Sequence, residues 1–480
     1  MPSLCRILEF PSITDQLTYS LPFIFHLSYN KNRMSKIFFS GIGGSGVSAI
    51  ASFMADRGNN VVGSDRSFDK DPDNPVCRTL RNKGINVVPQ DGSGISTSFD
   101  FIVFSTAVED NQPELLKVKE LGLPLKTRPQ YLCEIVADFS TVAVAGTSGK
   151  STTAGMLAFL MDRLGLEPNF IGGGRVKQFK NSCNLGNSLA GSSDYLVVEA
   201  CESDGSIVHY YPFYSIIGNL SLDHNTIEET AGMFETLGRN TEEVVVVSGD
   251  DGNLTLCRFD KPIKFSIDKD SKYQAKSVQY QPFATLFRLR DVAFRLSLPG
   301  KHNLYNALAC IALLAEMGIA LGDMAKVLPD FSGIERRFDI YLNNEKNIVI
   351  DDYAHNPHKI ASLMETMKKI RRDICYIFQP HGYGPTRMMK REYIETFINN
   401  LRREDHLILL PIYYAGGTSV KDISSEDLCD GIKAAGKSVE VLHERPALFN
   451  RLKEWDNYVV FGARDESLAE FAREISLKLQ

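Results

Sequence analysis

Short apolar runs alternate, in the first part of the chain, with segments whose apolar positions recur at helical spacing. They predict strands at 36–40, 60–63, 85–88 and 101–105 and helices at 47–57 and 73–83. Strands that alternate with helices favour a parallel sheet covered by helices on its faces. We therefore expect a Rossmann-like α/β domain over residues 34–139.

The same alternation restarts twice further along the chain. A second block predicts strands at 142–145, 195–199, 214–219 and 244–248, a polar, strand-rich passage at about 257–298 and an apolar helix at 303–317. A third block predicts strands at 347–351, 373–378, 406–410 and 458–462, with helices at 357–371 and 390–402. The chain is therefore expected to be α/β with three domains, the second at 140–334 and a Rossmann-like third at 335–480.

Residues 1–33 precede the first predicted strand and lack this alternation. Their apolar stretch, 21–27, is interrupted by Pro22 and His26, so it matches a signal sequence poorly. Met34 lies directly before the strand at 36–40. We interpret 1–33 as an extension of unassigned role, or Met34 as the true start, with a signal sequence as the alternative.

Composition narrows the class of protein. The net charge of −6 disfavours nucleic acid or an anionic membrane as the main partner. The nine cysteines form no CxxC pair, which disfavours a zinc knuckle and fits a reducing cytoplasm. No run of 18 apolar residues is present in the sequence, so we expect a cytoplasmic protein without membrane insertion.

A glycine-rich turn, GIGGSG, follows the first predicted strand and precedes a helix. Glycines at 41, 43 and 46 match G-x-G-x-x-G, a turn that lets backbone amides approach a diphosphate. Asp65 ends the second strand, where an acid often meets a ribose hydroxyl. A turn without a ligand is the alternative, and the motif alone does not separate NAD from a nucleotide-sugar. The candidate residues are Gly41, Gly43, Gly44, Gly46, Ser64 and Asp65.

A second glycine-rich turn follows the strand at 142–145. It comprises Gly146, Thr147, Ser148, Gly149, Lys150, Ser151 and Thr152. Lys150 would neutralise phosphate, the hydroxyl of Ser151 or Thr152 would bind Mg²⁺, and the backbone amides would cradle phosphate oxygens. Val144 stands where the usual phosphate loop has a glycine, so an ordinary turn with a surface lysine is the alternative.

Acids and a histidine follow the next two strands of this block. Glu199 ends one strand, with Glu202 close behind it, and Asp223 and His224 follow the other. Acids at the carboxyl ends of strands point into the ligand crevice of open α/β sheets, and one can hold Mg²⁺ beside the phosphate loop. His224 makes a second metal site plausible, although a lone histidine is more often structural.

Three further groups of residues complete the candidate site. Asn303 and Asn306 share a helix face and could bind an adenine edge, although N-capping by Asn303 with a surface amide at Asn306 is the alternative. One arginine of the pair at 336–337 could stabilise a transferring phosphoryl group. Arg387, after the strand at 373–378, could bind a carboxylate with two hydrogen bonds.

Together these motifs resemble the Mur ligase family, the ATP-dependent amide-forming enzymes that build the peptidoglycan stem peptide. The resemblance runs from about Met34 to the C-terminus. It rests on the motifs GTSGKST at 146–152, Glu199, Asp223-His224, His302-Asn303 with Asn306, Arg336-Arg337-Phe338, and Asp352-Tyr353 with His355. In that family the shortened loop with Val144 is normal.

The resemblance implies a central P-loop-type ATPase domain, with ATP and Mg²⁺ as cofactors. It implies that L-alanine, or a related amine, is joined to UDP-N-acetylmuramate through an acyl phosphate. Lys150, Glu199, His224 and Arg337 would be catalytic, and Ser151, Glu199 and His224 would bind metal. Nucleotide would contact residues 146–152, Asn303, Asn306 and Asp352, and the 41–46 turn with Ser64 and Asp65 would hold the UDP-sugar. Tyr353, His355, His381 and Arg387 would line the amine site of a monomer or homodimer.

The sequence departs from the alanine-adding members at several positions. Ser148 replaces a histidine, Cys201 an aspartate and Gly382 an arginine, and another arginine is absent near Pro385. Residues 354–357 are Ala-His-Asn-Pro, as in later ligases of the pathway. These departures leave the amine open. The alternatives are a murein tripeptide-recycling ligase, an NAD-dependent dehydrogenase and a non-catalytic nucleotide-sugar-binding regulator.

Overall fold

A computed structural model describes residues 34–105, 111–222, 225–414 and 420–480. Residues 1–33 and the predicted metal ligand His224 therefore lie outside the described residues. The first sheet has five parallel strands in the order β3-β2-β1-β4-β5. They are β1 Lys36–Ser40, β2 Asn60–Ser64, β3 Asn86–Val88, β4 Phe101–Phe104 and β5 Leu125–Thr127. The helices are α1 Ser45–Asp56, α2 Arg66–Lys70, α3 Pro75–Asn82, α4 Pro113–Leu121 and α5 Arg128–Ala137.

The second sheet has eight strands and is parallel except where β8 pairs with β7. Its order is β13-β12-β11-β10-β6-β9-β7-β8. The strands are β6 Ser140–Ala145, β7 Asn169–Ile171, β8 Ser188–Leu189, β9 Tyr195–Glu199, β10 Tyr214–Ile217, β11 Val244–Ser248, β12 Ile263–Ser266 and β13 Tyr273–Gln274. Because both faces of its inner strands are covered, β11 begins with four consecutive valines rather than alternating apolar and polar residues.

The passage predicted as strand-rich forms an antiparallel sheet beside this layer, with β14 Lys276–Gln281, β15 Ala284–Leu289 and β16 Val292–Leu296. The accompanying helices are α6 Lys150–Arg163, α7 Ile227–Asn240, α8 Lys301–Glu316 and α9 Leu321–Val327. Helices α6 and α8 are buried along most of their length and contact each other, which explains why both are apolar on nearly every face.

The third sheet follows the order β17-β18-β22-β19-β20-β21, parallel except for the β17–β18 pair. Its strands are β17 Asp339–Asn343, β18 Ile348–Asp352, β19 Ile374–Gln379, β20 His406–Leu409, β21 Val439–Val441 and β22 Asn457–Gly462. Its helices are α10 Pro357–Ile370, α11 Tyr383–Met388, α12 Lys390–Asn400, α13 Ser425–Ala434 and α14 Ser467–Leu479. The strand β22, last in the chain, lies between β18 and β19.

Each of the three large sheets draws its strands from one of the three predicted blocks, and the predicted α/β class is confirmed. The first two sheets share a continuous apolar core, which joins Phe39 and Tyr131 to Ala143 and Val198. The third sheet has a separate core on each of its faces. Among the described residues, no helix is long and apolar enough to cross a bilayer.

Candidate functional site

The turn at 41–46 lies at the carboxyl end of β1, between β2 and β4, where the strand order reverses. Gly41 has a φ of +78°, and the Gly43 amide donates to Asp65 Oδ2 at 2.9 Å. A Cβ at Gly43 would lie 2.8 Å from that carboxylate, so only glycine fits there. Asp65 also caps α2 by accepting the Ser67 amide at 2.9 Å. In this structure, therefore, Asp65 holds the glycine turn in shape.

A buried acid that the sequence analysis missed lies beneath this turn. Glu114, on α4, is fully buried and accepts hydrogen bonds from Ser40 and from Ser64 Oγ, the latter at 2.5 Å. Burial raises the pKa of the Glu114 carboxyl, against the lowering effect of those hydroxyls. The Ser64 hydroxyl thus points into the protein. No motif marked Glu114, which contacts the turn's strands only through tertiary packing.

The turn at 146–152 joins β6 to α6 and is fastened to the end of β10. The Ser148 amide donates to Asn219 Oδ1 and the Asn219 side-chain amide donates to the Ser148 carbonyl, both at 2.8 Å. Gly146 and Gly149 take φ values of +139° and +84°, the region that favours glycine. Ser148 is exposed and makes these bonds through its main chain. The loop's shape therefore does not depend on the side chain at 148.

Lys150 begins α6 and is held in place by two acceptors. Its Nζ donates to the Gly146 carbonyl at 2.7 Å and to the Glu202 carboxylate at 2.8 Å. The side chains of Lys150 and Glu202 are only 14% and 3% exposed. Burial alone would lower the pKa of the Lys150 amine, but Cys201 and Glu202 outweigh it, so the pKa is raised. The Lys150 amine therefore stays protonated beside the turn at 146–152.

Ser151 and Glu199 meet at the position expected for a cation. Ser151 Oγ donates to Glu199 Oε2 at 2.9 Å, and Glu199 Oε1 accepts the Gly173 amide at 2.6 Å. A hydroxyl and a carboxylate are the oxygen ligands that Mg²⁺ prefers, so this pair fits the ion. Among the described residues, no group of three His, Cys, Asp or Glu side chains has the arrangement of a metal site.

The two asparagines of α8 form a buried network beside the loop. Asn303 donates to the Pro299 carbonyl at 2.8 Å, and Asn306 donates to Asn303 Oδ1 at 3.3 Å. Thr153 of the loop helix donates to Asn306 Oδ1 at 3.1 Å. The alternative of an N-cap with a surface amide is wrong, because Gly300 caps the helix and Asn306 is buried. Contact of the pair with adenine stays a prediction.

A cavity of about 580 Å³ brings residues of the second and third blocks together. It has the size of a small-molecule site. Its walls include the predicted residues 147–152, Asn303, Asn306, Arg337, Asp352 and His355. They also include residues that the sequence analysis did not assign, among them Asn219, Asp250, Tyr305 and Lys359. The walls do not include Glu199, Tyr353, His381, Arg387 or the 41–46 turn.

The two adjacent arginines that enter the third block have opposite surroundings. Arg336 is 4% exposed, and its guanidinium donates to Asp351 at 3.0 Å and to the carbonyls of Gly462 and Asp465. Arg337 faces the cavity and lies over the Tyr353 ring at 5.1 Å. Arg336 is therefore a structural residue, and Arg337 is the one available to a phosphate in the cavity.

Three aromatic side chains stand in a row at the carboxyl edge of the third sheet. The His355 ring lies 5.5 Å from Tyr353 and 5.3 Å from His381. His355 Nδ1 lies 2.8 Å from the Tyr353 carbonyl oxygen and must donate to it, which leaves Nε2 as an acceptor. Burial lowers the pKa of His355 to about 3 and that of His381 to about 4. Both rings are neutral near pH 7.

Arg387, the fourth predicted amine-site residue, is engaged elsewhere. Its Nε donates to Asp422 at 2.9 Å and its guanidinium donates to the Val420 carbonyl at 3.0 Å. A role for Arg387 at the amine stays a prediction, and in this structure it would need to leave Asp422.

Family models match three successive parts of the chain. They are the Mur ligase family catalytic domain at 36–140, the Mur ligase middle domain at 144–314 and the Mur ligase glutamate ligase domain at 336–475. A UDP-N-acetylmuramate–L-alanine ligase from Caldanaerobacter subterraneus subsp. tengcongensis is 31% identical over 440 residues, which cover 88% of this chain and 92% of the relative. The chain belongs to the Mur ligase family. The predicted resemblance and enzyme class, a ligase, are confirmed.

Other comparisons agree with a Mur ligase. The UDP-N-acetylmuramate–L-alanine ligase of Legionella pneumophila strain Corby is 30% identical, over 91% of this chain and 96% of the relative. The crystal structure of the UDP-N-acetylmuramate–alanine ligase from Thermotoga maritima matches with a TM-score of 0.77 at 27% identity, covering 93% of this ligase and 99% of that chain. A murein peptide ligase from Psychrobacter arcticus 273-4 shares the fold, with a TM-score of 0.67 at 21% identity over 93% and 98% of the two chains.

Proposed function

We propose that this Mur ligase joins L-alanine to UDP-N-acetylmuramate, with hydrolysis of ATP to ADP and phosphate, in the synthesis of peptidoglycan precursors. The observation that carries the proposal is the shared cavity. It places the loop lysine, Lys150, in the same enclosure as Arg337 and His355 from the third block. Amide formation requires that the carboxyl carbon be phosphorylated and then attacked by the amine. The residues that act on the phosphoryl group and those that hold the amine must therefore surround the same carbon. The names of the relatives supply the identity of the acid and of the amine.

Each of the three sheets belongs to a part of the chain that we assign to a different substrate. We assign residues 34–139 to the UDP-sugar, 140–334 to ATP and 335–480 to the amino acid. The glycine turn at 41–46 presents backbone amides at the start of α1, a geometry suited to a diphosphate. Its rigid fastening to Asp65 supports this assignment, because a preorganised turn needs no rearrangement when the anion arrives.

In the proposed reaction a carboxylate oxygen of the muramoyl group attacks the γ-phosphorus of ATP, and ADP leaves. Lys150 and Arg337 would offset the charge that develops on the transferring phosphoryl group. Mg²⁺, when bound, neutralises phosphate charge. Ser151 and Glu199 would hold it, with His224 as a further ligand from outside the described residues. Asn303, Asn306 and Asp352 would contact the nucleoside.

The amino group then attacks the acyl carbon, the new C–N bond forms, and inorganic phosphate leaves. The nitrogen must lose a proton in this step. The leaving phosphate is suited to carry this proton away, because a pKa of about 3 makes the His355 ring a weak base. His355 would instead accept a hydrogen bond from the amine, because its Nδ1–H is committed to the Tyr353 carbonyl and Nε2 carries the free lone pair. Closure of the second and third blocks around the cavity would exclude water from the acyl phosphate.

ADP release measured with UDP-N-acetylmuramate, ATP and Mg²⁺ tests the function. L-Alanine, glycine, L-serine and the tripeptide L-alanyl-γ-D-glutamyl-meso-diaminopimelate should be compared, with products identified by mass spectrometry. We expect L-alanine to give the highest kcat/KM and Lys150→Met to abolish ADP release. Turnover of the tripeptide but not of L-alanine would instead establish a recycling ligase. Light scattering would distinguish the proposed monomer and homodimer, and cell fractionation would test the proposed cytoplasmic location.

A further inference from the structure

Arg464 lies at the carboxyl edge of the third sheet, outside the walls of the cavity. It follows β22 by two residues, and β22 is hydrogen-bonded to β18 on one side and β19 on the other, with Asp352 opposite Phe461 and Gln379 opposite Gly462. The two outer strands lead directly into the turns that carry His355 and His381. The segment after β22 therefore emerges between those two turns.

The positive charge of Arg464 influences the pKa values of two side chains at the carboxyl edge of the third sheet, His381 and Tyr413. Burial is the main cause of the low pKa of His381, and the positive charge of Arg464 lowers it further. Arg464 also acts to lower the pKa of Tyr413, against the stronger effects of burial and of Asp465 and Glu466. Tyr413 is paired with His381 through the backbone. The positive charge of Arg464 therefore acts on both members of the His381–Tyr413 pair.

The two acidic residues that follow Arg464 in the chain form ion pairs with other arginines. Asp465 is bound by Arg445 and also accepts a hydrogen bond from the Ser467 amide, at the start of α14, at 3.0 Å. Glu466 is bound by Arg175 at 3.0 Å. Within residues 34–105, 111–222, 225–414 and 420–480, Arg464 forms no ion pair or side-chain hydrogen bond, and it is exposed. Ligands of open α/β sheets bind at the carboxyl ends of the strands, and an exposed guanidinium without an ion pair at that edge is suited to an anion.

The backbone of Arg464 is in the left-handed region, with a φ of +67°. Side chains other than glycine, asparagine and aspartate adopt this conformation at a cost, and such residues concentrate at functional sites. The turn after β19 offers no competing free cation. Gly382 and Pro385 are uncharged, and the guanidinium of Arg387 is bound to Asp422.

We propose that Arg464 binds the α-carboxylate of the incoming amino acid and so selects an amino acid over a simple amine. This inference rests on the proposed function. With the carboxylate on the planar guanidinium, two parallel N–H···O bonds would fix the substrate's orientation. Its amino group would then be directed toward the neutral histidines that flank the β22 segment.

The test combines a change in the enzyme with the matching change in the substrate. Arg464→Gly removes the guanidinium and suits a φ of +67°, so the variant should fold at least as stably as the unaltered enzyme. We expect the KM for L-alanine to rise by about 10- to 100-fold, the loss typical of a charge-assisted hydrogen-bond pair. The KM values for ATP and UDP-N-acetylmuramate should not change. L-Alaninamide, which lacks the carboxylate, should be used equally well by both enzymes.

Two further variants sharpen the result. Arg464→Lys keeps the charge without the planar fork and should fall between the unaltered enzyme and Arg464→Gly. Arg403→Ala is the matched control. Arg403 is also exposed, but it precedes β20 and so lies at the amino-terminal ends of the strands, away from the carboxyl edge that carries Arg464. It should leave every KM unchanged.

The outcomes separate this inference from the proposed function. An unchanged KM for L-alanine in Arg464→Gly, or an equal loss with L-alaninamide, would overturn the inference while leaving the ligase activity established. No ADP release by the unaltered enzyme with any amino acid would overturn the proposed function and the inference with it.

Discussion

Replacing Lys150 with methionine should destabilise the protein as well as inactivate it. Methionine keeps the apolar stem of the lysine but removes the charge that lies 2.8 Å from the Glu202 carboxylate. Glu202 is 3% exposed on its side chain, so water cannot replace the lost partner. Breaking one side of a buried pair costs about 3–5 kcal/mol, because the remaining charge is left without compensation.

The second substitution of the cycle separates structure from catalysis. Glu202→Gln removes the uncompensated charge, so the double variant Lys150→Met with Glu202→Gln should recover most of the lost stability. It should not recover ADP release, because the cation that meets the phosphates is still absent. A purely structural lysine would instead regain activity together with stability.

The assay is thermal unfolding followed in parallel with ADP release. A loss of about 3–5 kcal/mol lowers the melting temperature of a domain of this size by roughly 6–20 °C. Equal melting temperatures for the single and double variants would show that the Lys150–Glu202 pair carries no coupling. ADP release by the double variant would refute the assignment of Lys150 to catalysis.

Three further predictions address other parts of the site. Gly43→Ala should raise the KM for UDP-N-acetylmuramate by about tenfold or more, because its Cβ would meet the Asp65 carboxylate at 2.8 Å, whereas Gly232→Ala, on α7 and with no atom within 4 Å of the added Cβ, should not. Asn219→Ala removes both side-chain bonds to the loop main chain and should raise the KM for ATP by about 10- to 100-fold, without a comparable change for the UDP-sugar. The folded-state pKa of His355, about 3, lies below its unfolded value of about 6.5, so the contribution of His355 to stability should be complete above pH 6.5 and fall by about 1.4 kcal/mol per pH unit below it.

Each of these has a result that contradicts it. Similar KM values for the Gly43 and Gly232 variants would show that the turn tolerates a side chain near Asp65. A loss confined to kcat in Asn219→Ala would mean that the clamp acts after ATP binds. The pH effect is measured from urea midpoints at pH 7, 6 and 5, and His355→Gln should flatten their decline. An equally steep decline in that variant would assign the acid sensitivity to other groups.

The two glycine-rich turns, whose residues are neighbours in the chain, were predictable from sequence. A glycine turn of this kind lies between a strand and a helix. Periodicity located both elements around 41–46, but only the preceding strand for 146–152. The predicted strand 214–219 ends earlier, at Ile217, because Asn219 turns away from the sheet to bind the Ser148 main chain. Local pattern identified the loop but not the residue that fastens it.

The contacts that sequence could not predict join residues far apart in the chain. Glu114 reaches Ser40 across 74 positions and Asn306 reaches Thr153 across 153. Neither pair has a spacing that a helix or a strand imposes, so only the packing of the sheets brings them together. Tertiary packing also decides which of the two adjacent arginines, Arg336 and Arg337, is buried and which faces the cavity. Arg336 turns inward because Asp351, on a neighbouring strand, offers it a buried carboxylate.

That choice also explains how the third block presents Arg337 to the cavity with a fixed geometry. Arg336 and Phe338 both have left-handed backbones, with φ values of 59° and 50°, on either side of Arg337. The four charge-assisted bonds of Arg336 and the bond from the Phe338 amide to Asp352 at 2.7 Å hold this unfavourable conformation. The buried pair of Arg336 and Asp351 would therefore act indirectly on the catalytic role that we propose for Arg337. It fixes the one backbone conformation in which the neighbouring arginine projects into the cavity rather than into the core.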